Sequence, residues 1–370
     1  MLQKVIDVVF APFESWAAFF TELKRVPFIL WSLQSQTGWL YLLSSLIVAF
    51  VVFRVMKKHG DVHEDASFQE TVFPRDVYMH RSAIMDYKFV FFDKTVRYFL
   101  YVPLFSAITY KIYSTTTARL GPGPVHLPER LAFWLIPIFA LLVTDLSLYI
   151  SHYAMHRVRF LWPFHEVHHS AEVLTPATSH RIHPVEELVT TSIQSLFTGV
   201  GAALLASAAD FQINHTTIFG LNFVTFGFYL FGFQLRHSHV WLSYGPLWSR
   251  VFISPAQHQI HHSEARKHWD KNFGFVFAFW DLAFGSLYVP KQREPIVFGC
   301  GANPEDYSTL PRMYFKPFVY SYQVFRDGIG SRIGRLRGSL GETPAAAALA
   351  PAPVNKTVEP DASDRTPIQT

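Results

Sequence analysis

HYAMHRVRFLWPFHEVHH, residues 152–169, packs His152, His156, His165, His168 and His169 into eighteen positions. A second cluster, HQIHH, carries His258, His261 and His262. His152 and His156 are spaced i, i+4, and each later group is spaced i, i+3, i+4, so on helices each group presents its imidazoles from one face. Neutral imidazole is the commonest protein ligand for transition metals. These eight rings exceed what one ion uses, so the spacing points to a two-metal site. Fourteen of the eighteen histidines lie between positions 152 and 268. Desolvated charge is costly, so these rings are expected to be neutral and occupied.

The surrounding sequence supplies the scaffold. Half of the 370 residues are hydrophobic and only 16% are charged, with 36 Phe, 16 Tyr and 9 Trp. That is well short of the charged fraction of a soluble domain and predicts an all-α polytopic membrane bundle of about four to five spans, with a cytosolic helical cap carrying the histidines. The net charge of +4 is spread along the borders of apolar runs and gives no footprint for nucleic acid. One cysteine, Cys300, excludes internal disulfides, Cys-ligated iron–sulfur clusters and zinc ribbons, and is itself expected to be inert. The opening MLQKVIDVVFAPFESW has acidic residues where a cleavable signal needs an unbroken apolar core.

Five regions are expected. Residues 1–25 form an amphipathic segment, with residues 5–23 reading equally as an interfacial helix or a packed terminal helix. Residues 26–130 hold the first membrane region and its connections, 131–300 the histidine-bearing domain, 301–340 an extension, and 341–370 a disordered Ala/Pro/polar tail. Val26–Phe53 is uncharged and is followed by Arg54, Lys57 and Lys58, which puts that end in the cytoplasm. Spans at 98–112 and 131–150, then an apolar hairpin over 188–235, return the chain to the cytoplasm before His152 and again before His258. Both clusters then share one face of the membrane.

Residues 165–169 also match HExxH, the zinc metallopeptidase signature, with His165 and His169 as ligands and Glu166 as base. That reading leaves His152, His156, His168 and the distal cluster unexplained, and Gln259 stands where a second glutamate would be. A zinc-dependent membrane hydrolase is therefore the alternative enzyme. A haem or metal-transport membrane protein is the non-enzymatic one, disfavoured because the histidines gather at span ends and His215 is nearly alone in mid-span.

Taken together, HX3H (152–156), HX2HH (165–169) and HX2HH (258–262), interleaved with apolar hairpins, resemble the fatty acid hydroxylase / sterol desaturase superfamily of integral-membrane di-iron oxygenases. The run LWPFHEVHHS, the segment TPATSHRIHP (175–184) and the aromatic NFGFVFAFWDLAFGSLY (272–288) are similar to further parts of that pattern. The resemblance covers roughly 130–290. It implies two irons held by His152, His156, His165, His168, His169, His258, His261 and His262. It also implies a ninth ligand after the central hairpin, His237 before His239. His180 and His183 are candidates for further ligands or for groups that orient them, as are the carboxylates Asp145, Glu166, Glu186 and Asp281; His180, His183 and His239 read equally as ordinary interfacial residues. His59, His63, His80, His126, His215 and His268 are read as incidental. The resemblance further implies dioxygen as co-substrate, and hydroxylation or desaturation of a membrane lipid C–H bond. With no dinucleotide fingerprint and no Cys-rich cluster in the chain, the electrons are expected from a separate reductase or ferredoxin-like protein.

Overall fold

In the computed structural model, residues 14–24, 38–60, 63, 65–121, 123, 125–210, 217–218 and 221–339 are described. The expected N-terminal helix is seen as α1 (Trp16–Leu23), with exposed Trp16 and Phe20 stacked on each other. Residues 1–13 and the expected disordered tail lie outside the described residues.

Three described helices are long and apolar enough to cross a membrane: α2 (Trp39–His59) and, further along, Glu129–Arg157 and Pro184–Ala208. Between the first two run α3 (Arg81–Val96), a π-helical turn (Arg97–Tyr101) and α4 (Val102–Leu120). Glu129–Arg157 is α5, Trp162–His169 is α6, and Pro184–Ala208 is α7. The chain continues through α8 (Phe223–Leu230), α9 (Pro255–His261), α10 (Phe279–Phe284) and α11 (Leu310–Ser339). The strands are two-residue pairs, so the protein is all-α.

The spanning helices turn their large apolar residues outward. Leu43, Ile47, Phe50 and Val51 of α2, Phe133, Trp134 and Ile138 of α5, and Leu196 and Leu204 of α7 are exposed, as lipid-facing side chains are. Close approach comes from small residues instead. At Gly199 of α7 a Cβ would stand 2.9 Å from Ile112 Cβ and from the Thr109 carbonyl oxygen of α4, so the two backbones pack as closely as only glycine allows.

The helix ends define one polar cap. The C-terminal halves of α2 and α5 and the N-termini of α4 and α7 gather there, while a parallel pairing of Val125 with Ala209 and His126 with Asp210 ties together the opposite ends. The expected span 98–112 is helical within Arg97–Leu120 and packs along α7. Its Ser/Thr-rich second half, with Lys111 and Arg119, keeps it outside the strongly apolar class. The second limb of the expected hairpin is not one helix where it is described. Thr217–Ile218 pairs with Leu221–Asn222, α8 is eight residues long, and Gly232 turns left-handed (φ 78°) into a 3₁₀ turn, Phe233–His237. Its β-branched, aromatic and glycine content is poor helix-forming sequence, and α8 is held by the ring cluster of Tyr41, Phe226, Tyr229 and Phe233.

Buried ion pairs brace the cap. Arg181 donates to Asp86 of α3 and to the Ser82 carbonyl (2.8 Å), and Thr178 donates to Asp86 (2.6 Å), which pins the 3₁₀ turn Pro176–His180. Asp145 of α5 accepts from the Val276 amide (2.7 Å), the Phe277 amide (3.1 Å) and the Trp280 indole (3.0 Å), fastening the segment before α10 to the bundle.

Candidate metal centre

The histidines come from four elements, each with a local reason for its position. His152 and His156 end α5, where the apolar pattern stops. α6 begins with Pro163 in its first turn, and α9 begins with Pro255 and a reciprocal cap between Ser254 and Gln257. His237 closes the 3₁₀ turn that Gly232 opens.

These elements bring nine histidines into two adjoining clusters, each with its ligand atoms within 4.8 Å of one another. His152, His156, His165, His169 and His261 form the first; His168, His237, His258 and His262 form the second. The two HX2HH groups are divided reciprocally. His165 and His169 of α6 face the first cluster while His168 faces the second; His258 and His262 face the second while His261 faces the first. On a helix the i+3 and i+4 positions lie about 100° apart, so each group straddles the boundary rather than presenting a single face. Rings of the two clusters touch there, with His169 and His262 centroids 4.6 Å apart.

The tautomers follow from what holds each outer nitrogen. His152 Nδ1 lies 2.9 Å from the Phe273 carbonyl and His261 Nδ1 2.7 Å from the Lys271 carbonyl. A carbonyl only accepts, so both Nδ1 atoms carry the proton and both Nε2 atoms present lone pairs. His165 Nδ1 donates to Glu186 at 2.7 Å, with the same result. His152 Nε2 and His165 Nε2 nevertheless stand 3.1 Å apart, and the Nε2 atoms of His156 and His261 are buried without a partner. Lone pairs aimed at one another in a buried space are stable only around a cation. In the second cluster, Nε2 contacts of 3.3, 2.9 and 3.2 Å link His168, His237, His258 and His262.

Burial keeps these rings neutral. Loss of solvent, followed by the field of neighbouring imidazoles, holds His168, His169 and His262 far below the usual histidine range. Burial brings His261 down to about 3. For His237, burial is followed by the adjacent Arg236, a buried guanidinium that donates to the Phe275 carbonyl (2.6 Å) and lies over the rings of Phe233 and Phe275. An all-nitrogen, neutral, convergent donor set suits iron, zinc, copper or nickel.

Other candidates stand elsewhere. His239 bonds the Thr71 carbonyl (2.8 Å), and His183 caps α7 through the Val185 amide and bonds the Tyr314 carbonyl (3.0 Å). His180 sits 3.4 Å from Asp93. Glu166 is turned toward Cys300, 3.8 Å away, so the carboxylate that the HExxH reading needs as base faces away from the histidines. Burial and that carboxylate push the Cys300 thiol up, leaving it protonated and unreactive. Asp281 accepts from the Phe273 and Gly274 amides (2.8 Å each) and so fixes the carbonyl that orients His152.

Sequence spacing missed the strained turn at 270–272. Asp270 (φ 58°) approaches His156 Nδ1 at 3.9 Å, and Asn272 (φ 59°) is fully buried, bonding the Gln257 carbonyl and the Tyr288 amide. The readable signal was the residue types, since Asp and Asn tolerate the left-handed region best after glycine.

Residues 137–286 match the fatty acid hydroxylase family. Curated relatives include the alkylglycerol monooxygenase of Caenorhabditis elegans, 27% identical over 47% of this chain and 31% of that protein. That of Danio rerio is 26% identical over 55% and 42%, and the ornithine lipid hydroxylase of Rhizobium tropici 27% over 41% and 42%. The chain thus spans about a third to two-fifths of the length of these relatives. No solved structure matches it significantly.

Proposed function

We propose that the chain, whose residues 137–286 match the fatty acid hydroxylase family, is a membrane-bound oxygenase inserting oxygen into a lipid C–H bond. The reading is carried by the reciprocal division of the two HX2HH groups into adjoining clusters of convergent Nε2 atoms, those of His152, His165 and His261 being unprotonated. We assign all nine histidines as ligands of two irons. Bound there, the irons would activate dioxygen and supply the oxidising power that an unactivated C–H bond requires.

The rest of the work falls to the protein. Glu186 and the Phe273 and Lys271 carbonyls hold His165, His152 and His261 with their lone pairs inward. Burial of the rings excludes water, which protects a strongly oxidising centre from side reactions. The outward apolar faces of α2, α5 and α7 let a lipid approach from the bilayer, and their ends deliver it to the cap. Electrons come from a separate donor protein, for which the cap is the accessible side. We place that cap in the cytoplasm, from Lys57 and Lys58 at the cap end of α2.

The relatives named as monooxygenase and hydroxylase favour hydroxylation over desaturation. Lipidomics of cells with the wild-type chain, with His261→Ala and without the protein is the test. A lipid heavier by one oxygen, seen with the wild type alone, is expected; a loss of two hydrogens would replace hydroxylation with desaturation. Metal analysis of the purified chain should give two irons. Stoichiometric zinc with hydrolytic activity that survives His168→Ala would sink the oxygenase reading.

A further inference from the structure

The C-terminal helix α11 takes no part in the metal centre, yet it is thirty residues long and two-faced. One side, Met313 and Pro317 with Tyr314, packs on the cap: Tyr314 stacks on Phe89 (5.1 Å) and accepts from His183. The opposite side carries Phe315, Phe318, Val319, Tyr322 and Phe325, of which Phe315, Tyr322 and Phe325 are 70%, 64% and 60% exposed. Their spacing of three and four makes one continuous stripe. In sequence the spacing runs on through Ile329, Ile333 and Leu336, joined by Arg332, Arg335 and Arg337, and within α11 no acidic residue follows Asp327.

The stripe begins where the bundle meets the cap. Ser321 donates to the Phe160 carbonyl (2.8 Å), just past the end of α5, and Phe318 packs on Phe164 and on His183, the cap of α7. Two membrane-spanning helices end at this level, so α11 runs from the bilayer boundary with an apolar stripe and an arginine-rich end. Gly328, Gly330, Gly334 and Gly338 make the last turns poor helix formers on their own. A helix of this composition needs a surface to lie on.

We propose that α11 is an interfacial helix that docks on anionic phospholipid through its aromatic stripe, with Arg332, Arg335 and Arg337 supplying the positive charge that favours an anionic surface. This goes beyond the oxygenase reading and does not depend on it. The test uses the full chain in nanodiscs of phosphatidylcholine, with or without about a third phosphatidylglycerol, a lipid fraction chosen to approximate an anionic leaflet. Spin labels are placed on Phe325→Cys in the stripe and Gln323→Cys on the polar side, in a Cys300→Ser background. With anionic lipid, the label at 325 should be reached by oxygen and shielded from a water-soluble nickel chelate, and the label at 323 should show the reverse. R332Q/R335Q/R337Q should weaken the anionic-lipid response by roughly fivefold per arginine. A label at 325 open to nickel in both lipids overturns the proposal. So does shielding that persists in detergent and is relieved by dilution, which would mean a second copy covers the stripe. Hydrogen exchange of the wild-type chain gives a variant-free check: amides of 322–339 should slow in anionic nanodiscs, and equal exchange in both lipids refutes the docking.

Discussion

Removing the Glu186 carboxylate should loosen the metal centre without unfolding the bundle. Glu186 is buried near the start of α7 and accepts from His165 Nδ1 at 2.7 Å. It thereby fixes both the tautomer and the ring plane of one ring in the five-histidine cluster. A hydrogen bond to a charged partner contributes about 1.5–3 kcal/mol, and a buried donor left unpaired costs a similar amount. Glu186→Ala should therefore lower metal affinity by about 2 kcal/mol, or roughly thirtyfold, within the range for partners of metal-bound histidine. Glu186→Gln keeps an accepting oxygen and should lose only a few-fold. The neighbouring Arg97 retains Glu187 (2.7 Å) and Asp93 (2.9 Å) in either variant, so the bundle keeps its buried ion pairs. The assay is iron retained per chain against a graded chelator, with thermal unfolding measured in parallel. Wild-type retention by Glu186→Ala would refute the claim that this contact orients His165. Equal losses in the alanine and glutamine variants would refute the part assigned to the accepting oxygen.

Three further outcomes follow from other contacts. The buried rings His168, His169, His262 and His261, the last at about 3, refuse protons that the unfolded chain takes up below about pH 6.5. The unfolded state then binds more protons, so stability of the metal-free chain should fall as pH drops from 6.5 toward 3. Unfolding temperatures that rise on acidification would contradict the buried neutral state. Gly199→Ala puts a methyl 2.9 Å from Ile112 Cβ and should cost about 1–3 kcal/mol, read as a lower unfolding temperature; an unchanged temperature would mean α4 and α7 are free to separate. Asn272→Ala loses two buried hydrogen bonds in a left-handed turn and should cost about 2–4 kcal/mol and weaken metal retention, while Asn272→Gly, which relieves only the backbone, should cost less. Equal effects from the two would remove backbone strain from the account.

What the sequence made legible was whatever depends on spacing along one helix. Spacings of three and four residues bring histidines within a turn of one another on α5, α6 and α9, and uncharged runs mark α2, α5 and α7 as spans. Which cluster each ring joins depends on how α6 and α9 face each other, and no local spacing encodes that. The choice between His237 and His239 turned on Ser238, which is extended (φ −157°) after a 3₁₀ turn and sends His239 away to Thr71. The return limb after Asp210 was hidden because an uncharged aromatic run reads as a span whether or not it is helical. The carbonyls of Lys271 and Phe273 were invisible too, since any residue type supplies a carbonyl and only the turn at 270–272 aims it.

The exchange of histidine rings between α6 and α9 bears on how two metal ions would load. Each helix lends two rings to one pocket and one to the other. An ion entering either pocket therefore freezes the rotation of both helices and prepares the remaining pocket at no added entropic cost. Loading should be cooperative, with singly occupied protein scarce at equilibrium. Stripping one ion should release its neighbour, so chelation should empty the protein in one step rather than two.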